Sequence, residues 1–260
     1  MKTLGKLFLT LTLWLTLHTS FVQADLVGPY SNSVASFDID ANGLVAATGT
    51  DATGSLSLSG VGTRMFWFPA QAAFRAGRVD TTQWDAANIG WASVAFGAST
   101  KASGWSSTAL GYETVASGWI SFASGSNTLS SNSYSTAMGS YTSALGSSST
   151  ALGWQTIASG NSSTAGGFNS QAWADYSSSF GYSLYNASYA NFAVGTYNLG
   201  GSGGSSNTTW ISTEPIFEVG NGTSSMRSDA LIVYKNGNST FQGPITILNP
   251  STDIPVYTGS

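Results

Sequence analysis

Gly-Trp-Ser-Ser-Thr-Ala-Leu-Gly-Tyr-Glu-Thr-Val-Ala-Ser (104–117) runs directly into Gly-Trp-Ile-Ser-Phe-Ala-Ser-Gly-Ser-Asn-Thr-Leu-Ser-Ser (118–131). Aligned without a gap, the two stretches share a frame of 14 residues, and the frame extends in both directions. Its starts are Gly90, Gly104, Gly118, Asn132, Gly146, Gly160, Ala174 and Ser188. Three places on stand Ser93, Ser107, Ser121, Ser135, Ser149, Ser163, Ser177 and Asn191. Two further on, Ala fills every coil except one, which has Ser179. Gly97, Gly111, Gly125, Gly139, Gly153, Gly167, Gly181 and Gly195 then recur without exception, and Thr100, Thr114, Thr128, Thr142, Thr156 and Ser170 follow in register. A fixed short period marks a solenoid, in which each unit stacks on the next.

Each unit holds two short runs in which small residues alternate with variable ones, as in Ser107-Thr108-Ala109-Leu110 and Thr114-Val115-Ala116. That period of two is the pattern of strands. Glycine after the first run and Gly or Ser before the next sit where the chain reverses. Two strands and two turns in 14 residues make one flat coil of a parallel β-roll. The Ser, Ala, Thr, Ala face belongs inside, because walls so close leave no room for Leu or Phe. Such an interior buries little apolar area and offsets little chain entropy. The outward positions of the first run are more apolar: Val94, Phe96, Leu110, Phe122, Met138, Leu152, Phe180, Phe192 and Val194. An exposed row of this kind calls for a cover, and identical copies around an axis would supply it. The second run's outward positions are mixed (Lys101, Val115, Leu129, Ser143, Ile157, Gln171) and face water. The expectation is a homo-oligomer with its first strands inward.

The units Ser-Val-Ala-Phe-Gly (93–97), Ser-Thr-Ala-Leu-Gly (107–111), Ser-Thr-Ala-Met-Gly (135–139) and Ser-Thr-Ala-Leu-Gly (149–153) resemble the head repeats of trimeric autotransporter adhesins of the YadA-like type. The resemblance covers residues 90–199. It implies an all-β, left-handed parallel β-roll, a homotrimer, and outward motif residues that face the threefold axis. It does not by itself fix an activity, because a fold hosts many functions.

Lys2 and Lys6, the apolar Leu7–Leu17 run and Val22-Gln23-Ala24 have the layout of a secretory signal over 1–24. Export to the cell surface, outer membrane or extracellular space is the expected location. Removing the signal takes two of the eight basic residues and the lone His18, and leaves all twelve acidic ones, a net charge of −6. Between Gly90 and Gly200 the charged residues are Lys101, Glu113 and Asp175, so nucleic acid, which needs clustered Lys and Arg, is not an expected partner. With no cysteine anywhere and no histidine after the signal, the usual thiol nucleophile, base and metal ligands are missing. No cofactor, no metal and no enzyme activity are expected.

Residues 25–89 read as a small β cap. Gly43–Ala46 and Ser55–Leu58 suggest short strands. Asp38, Asp40, Asn42 and Gly43 resemble the opening of a calcium loop, but its twelfth place is Gly49, which has no carboxylate, and the motif reads as a polar turn. The aromatics of residues 63–69 and 73–78, Phe66, Trp67, Phe68 and Phe74, are expected to plug the open end of the roll. Residues 200–211 form a Gly/Ser-rich joint. Residues 212–260 read as a three-stranded module with Asn-Gly turns, similar to the neck modules that follow head repeats. No apolar heptad and no train of alternating membrane strands follows, so membrane insertion by this segment is not expected. Either the chain continues into a stalk and anchor, or something else holds it.

Aromatic residues cluster at the turns. Trp91, Trp105 and Trp119 share one turn position, and Tyr112, Trp154, Phe168 and Tyr182 share the other. Stacked coils lie about 4.8 Å apart, so the tryptophans form a ladder. They could anchor an extracellular protein or glycan, with Trp91, Trp105, Trp119, Tyr112 and Trp154 as the binding candidates, or they could seal the turns against a neighbouring subunit. Three functions fit: a multivalent adhesin head, a structural fibre segment with no ligand of its own, and an ice-binding surface. Thr108, Thr136, Thr150 and Thr164 suggest the last, but Phe122 and Phe192 interrupt their column.

Overall fold

The computed structural model describes residues 36–39, 45–48, 59–201 and 206–244. The signal segment, the Ser55–Leu58 run and the glycine run at 202–205 lie outside the described residues. Ser36–Ile39 pairs antiparallel with Val45–Thr48, so Asp38 of the calcium-like motif stands in a strand.

The roll has two sheets. Its first strands are Val94–Ala98, Thr108–Tyr112, Phe122–Ser126, Thr136–Ser140, Thr150–Trp154, Thr164–Phe168, Ser178–Tyr182 and Phe192–Thr196. Each pairs parallel with the strand one coil on, residue i with i+14. The second strands, from Lys101–Ala102 to Tyr185–Asn186, are two residues each and form a separate 7-stranded parallel sheet. The first sheet extends to 13 strands because the flanking segments join it. Gly62–Phe68 and Ala73–Val79 form a hairpin whose second strand lies parallel to Val94–Ala98. At the other end Pro215–Asn221 lies parallel to Phe192–Thr196, and Asp229–Tyr234 and Ser239–Phe241 add antiparallel. Asn236-Gly237 makes the tight turn before the last strand, where the Tyr234 amide donates to Asn238 O at 2.8 Å. Asn221-Gly222 does not make one. The chain runs on and turns at Thr223–Met226, closed by reciprocal amide-to-carbonyl bonds of 2.8 and 3.2 Å.

The interior is two facing columns of methyl groups. Ala95, Ala109, Ala123, Ala137, Ala151, Ala165 and Ala193 oppose Ala102, Ala116, Ala144, Ala158 and Ala172, all wholly buried. Where a polar side chain takes an alanine place, it finds a carbonyl. Ser179 Oγ donates to Gln171 O at 3.0 Å, and Asn186 Nδ2 donates to Asn191 O at 2.9 Å. The serine three places into most units is fixed by the turn, though Ser163 Oγ has no partner. Ser107, Ser121, Ser149 and Ser177 Oγ each donate to the carbonyl three residues earlier, at 2.6–2.8 Å. A methyl there would leave that carbonyl one donor short.

The threonine column is different. Thr100, Thr114, Thr128 and Thr142 are buried, and none of their Oγ1 atoms has a partner. These positions use threonine for its branched shape. A buried hydroxyl without a partner costs about 1–3 kcal/mol. Thr128→Val, which keeps the shape and removes the hydroxyl, is therefore expected to raise the urea midpoint by an amount equivalent to about 1 kcal/mol. A lower midpoint would mean that the hydroxyl is satisfied in the folded protein.

The glycine column is a packing requirement. At Gly97 and its seven successors φ lies between +99° and +158°, and an added Cβ would sit 1.9–2.2 Å from a carbonyl oxygen of the neighbouring coil. Each turn also holds a non-glycine residue in the left-handed region, such as Ser106, Ile120 and Tyr134 at the first turn and Glu113, Asn127 and Tyr141 at the second. This conformation aims the residue's amide at the preceding coil: Ile120 N donates to Trp105 O at 2.8 Å, and Asn127 N to Tyr112 O at 2.9 Å. The backbone cost at each turn is offset by an amide that would otherwise lack a partner.

Both ends of the roll are closed by single long side chains in the alanine register. Arg75 pairs with Ala95, is wholly buried, and donates to Ser93 O at 2.8 Å, Ser93 Oγ at 2.7 Å and Ala102 O at 2.9 Å. Beside it Trp84 is buried, with Nε1 donating to Thr100 O at 2.9 Å and Phe66 packed edge-on at 6.0 Å. Of the aromatics expected to plug this end, Phe66 and Phe68 pack inward, while Trp67 faces out and Phe74 lies on the outer face of the first sheet, in register with Val94 and against Phe96. At the far end Glu218 pairs with Ala193 and accepts from Asn191 Nδ2 at 2.7 Å and Asn198 Nδ2 at 3.0 Å.

Candidate binding surface

The roll presents three surfaces built by its repeat. The first is the outer face of the first sheet. Val94, Leu110, Phe122 and Val194 are half-buried there, and Phe96, Met138, Leu152, Phe180 and Phe192 are open, with Met138 43% and Phe180 41% exposed. The register aligns Phe96, Leu110, Ser124, Met138, Leu152, Gly166, Phe180 and Val194 in one column. Ala76 and Val219 extend it into the flanking strands. Phe180 lies over Gly166, where an added Cβ would be 2.7 Å from its ring. The column is thus apolar but for Ser124, with the Phe180 ring bent across Gly166.

The second surface is the first-turn edge. Trp91 and Trp105 stack at 5.0 Å and 10°, Trp105 and Trp119 at 5.3 Å and 26°, and Tyr134 closes the stack edge-on at 5.1 Å. The tryptophan faces are turned to one another, and the ladder shows its ring edges to the outside.

The third surface is the second-turn edge. Trp154 stacks on Phe168 at 4.4 Å and 19°, and Phe168 on Tyr182 at 4.7 Å and 5°. Tyr112 stands apart from this stack, because Ser126 and Ser140 fill the column between it and Trp154. The carboxylate of Glu113 accepts the Tyr112 hydroxyl, and that bond and its charge raise the phenol's pKa.

Titratable groups collect where the C-terminal strands meet the roll. Burial and the charge of the neighbouring Asp229 push Glu218 up to about 7, against the opposing hydrogen bonds from Asn191 and Asn198. Asp229, also buried, is raised by desolvation. Lys235 Nζ meets Glu214 Oε2 at 3.0 Å in a buried pair, and lies 5.3 Å from the centre of the Trp210 ring. Among the described residues no three His, Cys, Asp or Glu side chains are grouped to hold a metal ion.

Three of these features escaped the repeat-based reading: Arg75, Trp84 and Glu218. Arg75 precedes Ala95, and Glu218 follows Ala193, by steps that are not multiples of the repeat. Only the hairpin geometry brings them into the alanine register. Tyr134 and Tyr141 were missed because the left-handed turn position carries no fixed residue type.

The parallel roll with an uncovered apolar sheet face defines the class: a repetitive β-solenoid whose coils carry surface rather than a pocket. The coils match the family model of the YadA head domain repeat over residues 92–114, 130–156, 144–170 and 158–183. Among curated proteins none matches the sequence significantly.

Proposed function

We propose that this protein is the head of a trimeric adhesin, exported and displayed outside the cell, which binds by repeated contact and not by catalysis. The observation that carries the proposal is the apolar column on the outer face of the first sheet. A roll with an alanine interior gains little from its own core, and five large apolar side chains open to solvent on one face need a partner surface. Three copies packed with these faces around a common axis bury it. The trimer and the adhesin role are what head repeats of this family imply. Val94, Phe96, Leu110, Phe122, Met138, Leu152, Phe180, Phe192 and Val194 form the subunit contact in this reading. The turn edges then appear three times around the axis, so weak contacts to a surface add as avidity.

The test is the mass of purified residues 25–260 in solution by sedimentation equilibrium. A trimer is expected, and Leu152→Asp, which places a charge in the centre of the column, is expected to shift it to monomer. A wild-type monomer at micromolar concentration overturns the proposal. Solid-phase attachment to collagen, laminin and cultured cells then separates an adhesin from a fibre segment, which would form trimers and attach to nothing.

A further inference from the structure

We propose that the notch between Tyr112 and Trp154 on the second-turn edge is a binding subsite for a neutral carbohydrate. The proposal rests on the adhesin reading and assigns it a ligand class. Four observations meet at this place. The aromatic column is interrupted for two coils, and the residues in the gap are Ser126 and Ser140. The two walls are therefore three coil steps apart, about 14 Å, which leaves room for a sugar ring against the Trp154 face. The Trp154 wall offers a ring face and not an edge. Trp154 uses one face on Phe168, and its other face is turned toward Ser140. Tyr112 has Ala98 and Ser126 as column neighbours and is 48% exposed. The floor and rim are polar: the hydroxyls of Ser126 and Ser140, Asn127 with Nδ2 on Ser126 Oγ at 3.1 Å, the exposed Tyr141 and Gln155, and Glu113.

This is the chemistry a pyranose needs. Its C–H face packs on an aromatic face, and its hydroxyls require donors and acceptors around the ring. The Glu113 carboxylate beside the Tyr112 wall disfavours anionic sugars. The first-turn ladder lacks the same property. Trp91, Trp105 and Trp119 turn their faces to one another and leave no gap, so those three serve packing and not sugar binding.

The test uses the mature chain, residues 25–260, and a panel of neutral oligosaccharides: cellohexaose, maltohexaose, xylohexaose, chitohexaose and lacto-N-tetraose. Binding is followed by tryptophan fluorescence and saturation-transfer NMR. At least one of the five is expected to bind, with Tyr112→Ala and Trp154→Ala each weakening it tenfold or more and Trp105→Ala leaving it within twofold. Ser140→Phe is the decisive variant. It continues the stack that Phe168 already makes, so it keeps the melting temperature and the oligomeric mass, and it fills the notch and abolishes binding. Three results overturn the proposal: no binding by the wild type, binding that survives Ser140→Phe, or a change of oligomeric mass in Ser140→Phe, which would mark the notch as a subunit contact. Attachment to matrix and cells, measured on the same samples, separates the two readings. Attachment without sugar binding removes the notch alone, and absence of both removes the adhesin as well.

Discussion

Gly153→Val should leave no folded roll. At this position φ is +112°, and an added Cβ would stand 2.2 Å from the carbonyl oxygen of Gly167 in the next coil. Contact at that distance is far inside the van der Waals limit, and the obstacle is backbone, which cannot rotate away. The two coils must separate, which breaks the ladder on both sides of the substitution. The expected loss is at least about 4 kcal/mol, in the range of the most damaging single changes. Far-UV circular dichroism and a thermal melt of the purified variant check it. Gly237→Ala is the control. It also has a positive φ, +87°, but nothing lies within 4 Å of its added Cβ, and about 1 kcal/mol of backbone cost is expected. If the Gly153 variant melts within a few degrees of wild type, close stacking is not what holds glycine in this column.

The second large effect belongs to Glu218. Its ordinary pKa of 4.5 is raised to about 7 by burial and by Asp229. Below pH 4.5 the group carries its proton in both the folded and unfolded chain. Between pH 4.5 and 7 the folded chain holds a proton that the unfolded chain has released, so stability falls as pH rises. The total over that window is up to about 3 kcal/mol, and above pH 7 the loss is complete. The upward shift of Asp229 acts in the same direction. Urea denaturation of wild type at pH 5 and pH 8 should therefore give the higher midpoint at pH 5. Glu218→Gln keeps an oxygen for Asn191 and Asn198, removes the charge, and should flatten most of that difference by gaining stability at pH 8. An equal pH dependence in wild type and variant would place the effect elsewhere.

The repeat made most of the architecture legible before any coordinates. Period 14 gives the coil, the small-residue positions give the inside, and the large residues of the first run give the open face. The aromatic columns were also visible as columns. Other features needed three dimensions. Arg75 and Glu218 sit in the alanine register only because a hairpin and a long connection deliver them there, and no count along the chain finds that. The difference between the two aromatic edges was equally hidden. Both are rows of rings in the sequence, yet one is an unbroken stack and the other is broken by Ser126 and Ser140. The unpartnered Thr128 hydroxyl was hidden as well, since threonine in a strand reads as a satisfied residue until its neighbours are placed.

The plugs at the two mouths of the roll have a consequence for how the protein behaves in a crowd. A stack of identical coils has no intrinsic last member, and a bare terminal strand would accept the first coil of another molecule as readily as its own successor. Arg75 already spends its donors on the carbonyls at one mouth, and Glu218 fills the other with a side chain that matches no repeat. The two antiparallel hairpins then reverse the strand direction beyond them. Direct stacking of one roll's coils on another's is thereby disfavoured at both mouths, so the number of coils is set by the sequence.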